Sequence, residues 1–203
     1  METLAVIDFE TTGLYPQYGD RATEVAIMLV RGGEIIDRYQ SLMNAGVRIN
    51  SFITSLTGIT NQMIRAAPPA ERVMGEAAAF VGDIPLVAHN ASFDRRFWDA
   101  ELERIGMARR QEFACSMLVA RRVLPDAPNH KLGTLIAYAG LPVTGDYHRA
   151  EADAEMAAHL TTHLAGQLMQ RFRLDAVPHA LFMRIQKAAR NRLLQCVEGY
   201  CRT

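Results

Sequence analysis

The sequence predicts an α/β domain: a mixed five-stranded sheet, made of an antiparallel three-strand meander plus parallel strands, with helices on both faces. Three observations predict it. Three apolar, strand-like runs open the chain with only short turns between them. Helix-like and strand-like runs then alternate, the pattern of a sheet with helices packed on it. The 203 residues, 49% hydrophobic and 22% charged, suit one ordinary globular domain with a short appendage.

The elements follow in order. Leu4 to Phe9 is a short apolar run closed by Thr11-Thr12-Gly13, hence a buried strand. Thr23 to Val30 is the second strand, and Arg31-Gly32-Gly33 is a hairpin turn into the third, Glu34 to Met43. A polar stretch around Thr57-Gly58-Ile59-Thr60 reads as irregular. Pro69 to Val81 is a helix with Pro near its start, and Ile84 to Ala88 is another buried strand. Asn90 or Ser92 is the expected cap of a helix from Phe93 to Ile105 that ends at Gly106. Phe113 to Cys115 is a short strand, followed by helices at Ser116–Val123, His130–Ala139 and Ala150–Arg171. Asp175 to Thr203 reads as one further helix with Pro178 in its first turn. The division expected is one domain over residues 1–172 and a basic, amphipathic helical extension over residues 173–203.

Composition narrows the function. Net charge is zero, from 22 basic and 22 acidic residues, which argues against a protein that coats nucleic acid non-specifically. It leaves room for an enzyme that grips a few phosphates. Cys115, Cys196 and Cys201 are too few and too unevenly spaced for a disulfide framework, and no Cys or His pair near them has zinc spacing. No stretch has the apolar length of a membrane span, and the N-terminus has no basic flank of a signal peptide. The expected location is the cytoplasm.

Three places carry chemistry. Asp8 and Glu10 lie two apart on the first strand, so both carboxylates point to one face. Such a pair on an apolar central strand is costly without compensation, and bound cations supply it. Asp94 follows the strand Ile84–Ala88 just inside a helix, at the C-terminal edge of the sheet, where open α/β sheets build their sites. His148 sits in a loop shortly before Asp153, which lies in the first turns of the next helix. A loop histidine with a near-neutral pKa suits a general base.

The three stretches Asp8-Phe9-Glu10-Thr11-Thr12-Gly13, His89-Asn90-Ala91-Ser92-Phe93-Asp94 and His148-Arg149-Ala150-Glu151-Ala152-Asp153 resemble, in order and spacing, the three motifs of the DEDDh exonuclease superfamily. The likeness is greatest to the epsilon proofreading subunit of bacterial DNA polymerase III and its stand-alone relatives, and covers about residues 1–170. The resemblance implies an RNase H-like fold and release of nucleoside monophosphates from 3′ ends. It makes Asp8, Glu10, Asp94 and Asp153 metal ligands and His148 the catalytic histidine. A sister group has tyrosine four residues before the last aspartate; Arg149 holds that position here, while Tyr147 holds neither position. The all-carboxylate shell favours two Mg²⁺ or Mn²⁺ ions over zinc. These would flank a phosphodiester at roughly 4 Å separation.

Substrate contacts are expected from Thr11, Thr12 and Leu14, which follow the first motif, and from Ile59 and Phe93 as base-stacking or wedging side chains. For Ile59 and Phe93 a core position is the competing reading. Arg95 and Arg96 either reach phosphates or stay solvated. The expected substrate is single-stranded nucleic acid, with DNA favoured over RNA because the first motif is nearer the DNA-proofreading type. The rival classes are an RNA-trimming enzyme of the same fold and a non-catalytic adaptor of a replication complex. The latter predicts an eroded acidic position, and none is eroded. The C-terminal stripe Leu181, Phe182, Ile185, Ala189, Leu193 and Val197 needs a cover. Its candidates are the chain's own domain, a second copy in a homodimer, or a DNA polymerase subunit, the first two being preferred.

Overall fold

A computed structural model describes residues 2–143 and 149–202. Five strands, β1 (Thr3–Thr11), β2 (Ala22–Arg31), β3 (Glu34–Leu42), β4 (Leu86–Ala88) and β5 (Phe113–Cys115), form one sheet in the order β3-β2-β1-β4-β5. The β1–β2 and β2–β3 pairs are antiparallel, and β1–β4 and β4–β5 are parallel. Among the described residues the helices are α1 (Ser51–Thr57), α2 (Asn61–Ala66), α3 (Ala70–Val81), α4 (Ser92–Arg104), α5 (Ser116–Val123), α6 (Leu132–Tyr138), α7 (Ala150–Phe172), α8 (His179–Ile185) and α9 (Leu193–Cys201). The predicted five-stranded mixed sheet is the sheet observed.

The β2–β3 hairpin turns on Gly32 and Gly33, with φ of 63° and 89°. Two consecutive left-handed residues make the tight loop whose twist matches an antiparallel pair, and only glycine takes both positions cheaply.

Strand alternation sorts the side chains into two layers. Leu4 and Val6 of β1, with Ala26, Met28 and Val30 of β2, pack under α5, α6, α7, α8 and α9. Ala5, Ile7 and Phe9, with Val25, Ile27 and Leu29, pack on the other face against α3 and α4. Both faces of β1 and β2 are therefore covered, and their apolar runs are nearly continuous.

Three local expectations need correction. The stretch around Thr57–Thr60 is not irregular throughout, because α1 ends at Thr57 and α2 begins at Asn61. The Asn50 side chain accepts from Ile53 N–H and that of Thr60 from Met63 N–H, so each short helix has a side-chain cap. Neither Asn90 nor Ser92 caps α4; the chain enters it through Ala91 in helical conformation, with Asn90 left-handed at φ 68°. Asp175–Thr203 is not one helix but α8 and α9, with a short 3-10 turn at Arg190–Arg192 between them.

Tertiary hydrogen bonds accompany that last break. The Gln186 side chain accepts from Cys115 N–H at 2.6 Å, and the Ala188 carbonyl accepts from the Arg122 guanidinium at 2.7 and 3.0 Å. Leu181, Phe182, Ile185, Leu193 and Val197 are buried in the same core as α7, whereas Ala189 is exposed. No helix among the described residues is long and apolar enough to cross a membrane.

Candidate active site

The face of β1 that carries Leu4 and Val6 continues through Asp8 and Glu10 at the C-terminal end of the strand. There it meets the first turn of α7, which brings Asp153. One carboxylate oxygen from each of Asp8, Glu10 and Asp153 lies within 4.8 Å of the others. Asp94 comes from the other side, in the first turn of α4, just beyond β4. It is 1% exposed. The backbone N–H groups of Phe9 and of Asp94 itself hydrogen-bond its carboxylate, while its Oδ1 is buried with no protein partner. Parallel pairing of β1 and β4 brings these two strand ends together.

Burial together with mutual repulsion keeps protons on this cluster. Burial pushes Asp8 well above the usual carboxylate range, and the charges of Asp94, Asp153, Glu10 and Glu24 push it further. Glu10 is raised to about 8, first by burial and then by Asp153, Glu24 and Asp94, against the pull of Arg149. Burial likewise raises Asp94 to about 8 despite its two backbone donors. Four neighbouring carboxylates ionise together only when a cation compensates them. An all-oxygen donor set with one orphaned buried oxygen fits a hard divalent ion such as Mg²⁺ or Mn²⁺.

His148 and its neighbour Tyr147 lie outside the described residues. The other expected contacts fall in different surroundings. Thr11 and Thr12 are buried, their hydroxyls bonded within the turn after β1, to the Gly13 carbonyl at 2.6 Å and to Asp20 at 3.3 Å. Leu14 is 57% exposed on that turn. Phe93 is half-buried with its ring centroid 5.0 Å from that of Phe97. Ile59 is wholly buried against Ile49 and Ile64, so its side chain fills a small satellite core. Arg95 is exposed; Arg96 donates to the Ser92 carbonyl at 3.0 Å and sits over the Tyr15 ring.

Two residues at the site are not evident from the sequence. Glu24 of β2 stands directly across from Glu10 and is fully buried. It accepts from Gln40, from the Arg149 guanidinium and from Ala150 N–H, tying the start of α7 to the sheet. The only available signal is an acid within the apolar run Thr23–Val30. His89, at the end of β4, donates from Nε2 to the His130 carbonyl, leaving Nδ1 to accept from Ser116 Oγ, both at 3.0 Å. Burial lowers its pKa to about 4, so it is a neutral brace for the β4–α4 turn.

Comparison with known proteins agrees with this geometry. The family RNase_T, described as exonuclease, matches residues 5–161. The DNA polymerase III PolC-type of Bacillus cereus is 36% identical over 171 residues, 84% of this chain but 12% of the polymerase. That of Staphylococcus aureus is 37% identical over 169 residues, 83% of this chain and again 12% of the polymerase. The chain thus spans about one-eighth of the length of these relatives. Among solved structures, exonuclease X in complex with 5′ overhanging duplex DNA superposes with a TM-score of 0.68 at 28% identity, covering 85% of this chain and 95% of that one. The nuclease domain of 3′hExo, a DEDDh family member bound to rAMP, shares the fold with a TM-score of 0.72 at 17% identity, over 87% and 95% of the two chains. With an exonuclease family match over most of its length and these relatives, the chain belongs to the DEDDh 3′-to-5′ exonucleases.

Proposed function

We propose that this exonuclease trims single-stranded DNA from its 3′ end, releasing nucleoside 5′-monophosphates with the help of two divalent cations. The observation that carries the metal reading is the convergence of Asp8, Glu10 and Asp153 within 4.8 Å, with the orphaned oxygen of Asp94 buried beside β1. Bound Mg²⁺ or Mn²⁺ supplies Lewis acidity to the phosphodiester and acidifies a water. Asp8, Glu10, Asp94 and Asp153 hold the cations, and Asp8, Glu10 and Asp94 give up the protons that burial has kept on them. His148 takes the proton of the attacking water as general base. Thr11, Thr12 and Leu14, on the turn leaving β1, meet the terminal nucleotide, with Phe93 beside Asp94.

DNA is favoured as substrate by two likenesses: to DNA polymerases at 36% identity, and to an exonuclease solved with DNA at 28% identity. The same likenesses support a role in proofreading or repair. The test is degradation of an end-labelled strand. A 5′-labelled single strand of DNA gives a ladder shortening from the 3′ end with Mg²⁺ or Mn²⁺, and chelator abolishes it. Faster cutting of RNA of the same sequence would overturn the DNA assignment; cutting unaffected by chelator would overturn the metal mechanism.

A further inference from the structure

The turn between β1 and β2 carries three large exposed apolar side chains: Leu14, Tyr15 and Tyr18, the last 83% exposed. An exposed tyrosine alone needs no explanation, but this one is mounted. Its ring lies edge-on to Tyr15, with centroids 5.9 Å apart at 64°. The Arg96 guanidinium stands 5.6 Å from the Tyr15 centroid. Tyr15 is therefore braced on one side by Arg96, two residues from Asp94, while Tyr18 faces solvent.

The turn beneath is fixed from both ends. Thr12 N–H donates to the Arg21 carbonyl at 2.9 Å, and Arg21 N–H to the Thr12 hydroxyl at 3.0 Å. The Asp20 carboxylate accepts from Tyr15 N–H at 2.9 Å and from the Thr12 hydroxyl at 3.3 Å. Asp20 packs so tightly over Gly13 that a Cβ there would lie 2.4 Å from its carboxylate oxygens. Behind the turn, the Arg21 guanidinium is held by the buried Glu101 of α4 at 2.8 and 2.9 Å. A rigid mount that presents an aromatic ring to water, on the turn leaving the strand of Asp8 and Glu10, is the arrangement that binds bases without reading sequence, since every base has a π-face. The neighbouring Arg95 and Arg96 match the charge of a nucleic-acid backbone.

We infer that the Tyr18 ring, backed by Tyr15 and Arg96, is a stacking platform for bases of the strand being trimmed, behind the nucleotide held at the carboxylates. This rests on the DNA-trimming function proposed above and adds how the strand beyond its last nucleotide is held. The platform sets the affinity for strands several nucleotides long, not the rate of bond cleavage.

The experiment compares kcat and KM on single-stranded dT20 with those on thymidine 5′-monophosphate p-nitrophenyl ester, which has no second base. For Tyr18→Ala, KM on dT20 rises about 5- to 150-fold relative to KM on the ester, the ordinary effect of losing one base–aromatic stack. Tyr18→Phe and Tyr18→Trp restore it, and Tyr15→Ala and Arg96→Ala move it in the same direction by less. An unchanged KM on dT20, or equal losses on both substrates, would overturn the platform. A wild-type enzyme inert on both substrates would instead overturn the DNA-trimming reading, and the platform with it. Wild type active on rU20 alone would remove the DNA assignment, and the same comparison on rU20 would decide the platform.

Discussion

Arg149 and Glu24 form a clasp across 125 residues of chain: Nη2 to Oε1 at 2.9 Å and Nε to Oε2 at 3.1 Å. Glu24 lies opposite Glu10 in the β1–β2 register, so without Arg149 two acids would face each other across the pair with no cation between them. The same Glu24 carboxylate takes Ala150 N–H at 3.2 Å, which sets the start of α7 and hence the place of Asp153. Arg149 also directly follows His148 in the chain. Arg149→Ala leaves a buried charge unpaired. A fully buried pair broken this way costs about 3–5 kcal/mol. Arg149 is 38% exposed, so solvent reduces the expected loss to about 1–3 kcal/mol. The melting temperature and kcat both fall; Glu24→Gln, which removes the charge that needs a partner, is milder on stability. Thermal denaturation and single-turnover kinetics of the two variants check this, and Arg149→Ala equal to wild type in both would dismiss the clasp.

The carboxylates themselves behave oppositely. Asp8→Asn or Asp94→Asn removes nearly all nuclease activity, but relieves repulsion in the metal-free protein. The chelated variants should melt no lower than chelated wild type. Excess Mg²⁺ or Mn²⁺ raises the wild-type melting temperature by mass action and fails to raise that of the variants. A variant that melts well below wild type in chelator would mean that these carboxylates are structural ligands of the fold itself.

What was legible in the sequence, and what was not, divides by the range of the interaction involved. β1 and β2 are read correctly because burial on both faces leaves uninterrupted apolar runs, and α7 because its alanine-rich period is long. Asp8, Glu10, Asp94 and Asp153 stand out because each sits at an element's end, where alternation or the first helical turn fixes its direction. Glu24 does not stand out, because its partner Arg149 is local only after folding. The break between α8 and α9 is invisible for a similar reason. The sequence there keeps a helical period, and Gln186 and Arg122, bonded to distant backbone, accompany the interruption. The caps Asn50 and Thr60 lie within local reach; the short helices they start are not evident because each has too few turns to show a period.

Stability of the metal-free protein should fall as pH rises. In the folded chain Glu10 and Asp94 keep their protons up to about 8, against ordinary values of 4.5 and 3.8. Between those limits the folded state binds more protons than the unfolded one, so each unit of pH favours unfolding. The contribution is whole below about pH 4 and is lost as pH climbs through about 8. Bound cations displace these protons, so Mg²⁺ affinity rises over the same interval and saturating Mg²⁺ flattens the slope. Melting curves from about pH 5 to pH 9, with chelator and with Mg²⁺, test both signs. A chelated protein that gains stability over that range contradicts the protonated cluster.

His148 is expected to act on the chemical step alone. Its replacement by alanine removes a general base, a loss of about 10²-fold or more in the cleavage rate. Strand affinity changes little, since the proposed binding contacts are the carboxylate site and the turn after β1. Tyr147→Phe is mild. Single-turnover cleavage beside anisotropy titration with a labelled strand separates the two effects; a Tyr147→Phe variant as slow as His148→Ala would move the base to the tyrosine.

The last prediction concerns the segment after α7. Leu181, Phe182, Ile185, Leu193 and Val197 are each no more than 4% exposed and share the core with α7 and the sheet. His179 adds a buried hydrogen bond from Nε2 to the Leu86 carbonyl of β4 at 2.9 Å. Gln186 occupies the backbone of β5 at Cys115, and Arg190 reaches the Pro125 carbonyl. Burying a large apolar side chain contributes about 1.5–3 kcal/mol, so five of them match the whole net stability of an ordinary domain, about 5–15 kcal/mol. Ending the chain after Arg173 therefore unfolds the sheet domain or leaves it aggregated, even though every predicted catalytic group is retained. Milder probes grade the effect: Phe182→Ala should cost about 3–5 kcal/mol and Gln186→Ala about 1–3 kcal/mol through the unpaired Cys115 N–H. Lys187 and Arg192 project from the exposed side, and their replacement by alanine should change stability by no more than about 0.5 kcal/mol. Denaturant titrations of these variants, with light scattering of the truncated chain, give the comparison. A truncated protein that stays monomeric and melts with the full chain would show that the segment rests on the domain without supporting it, and its apolar face would then belong to a partner.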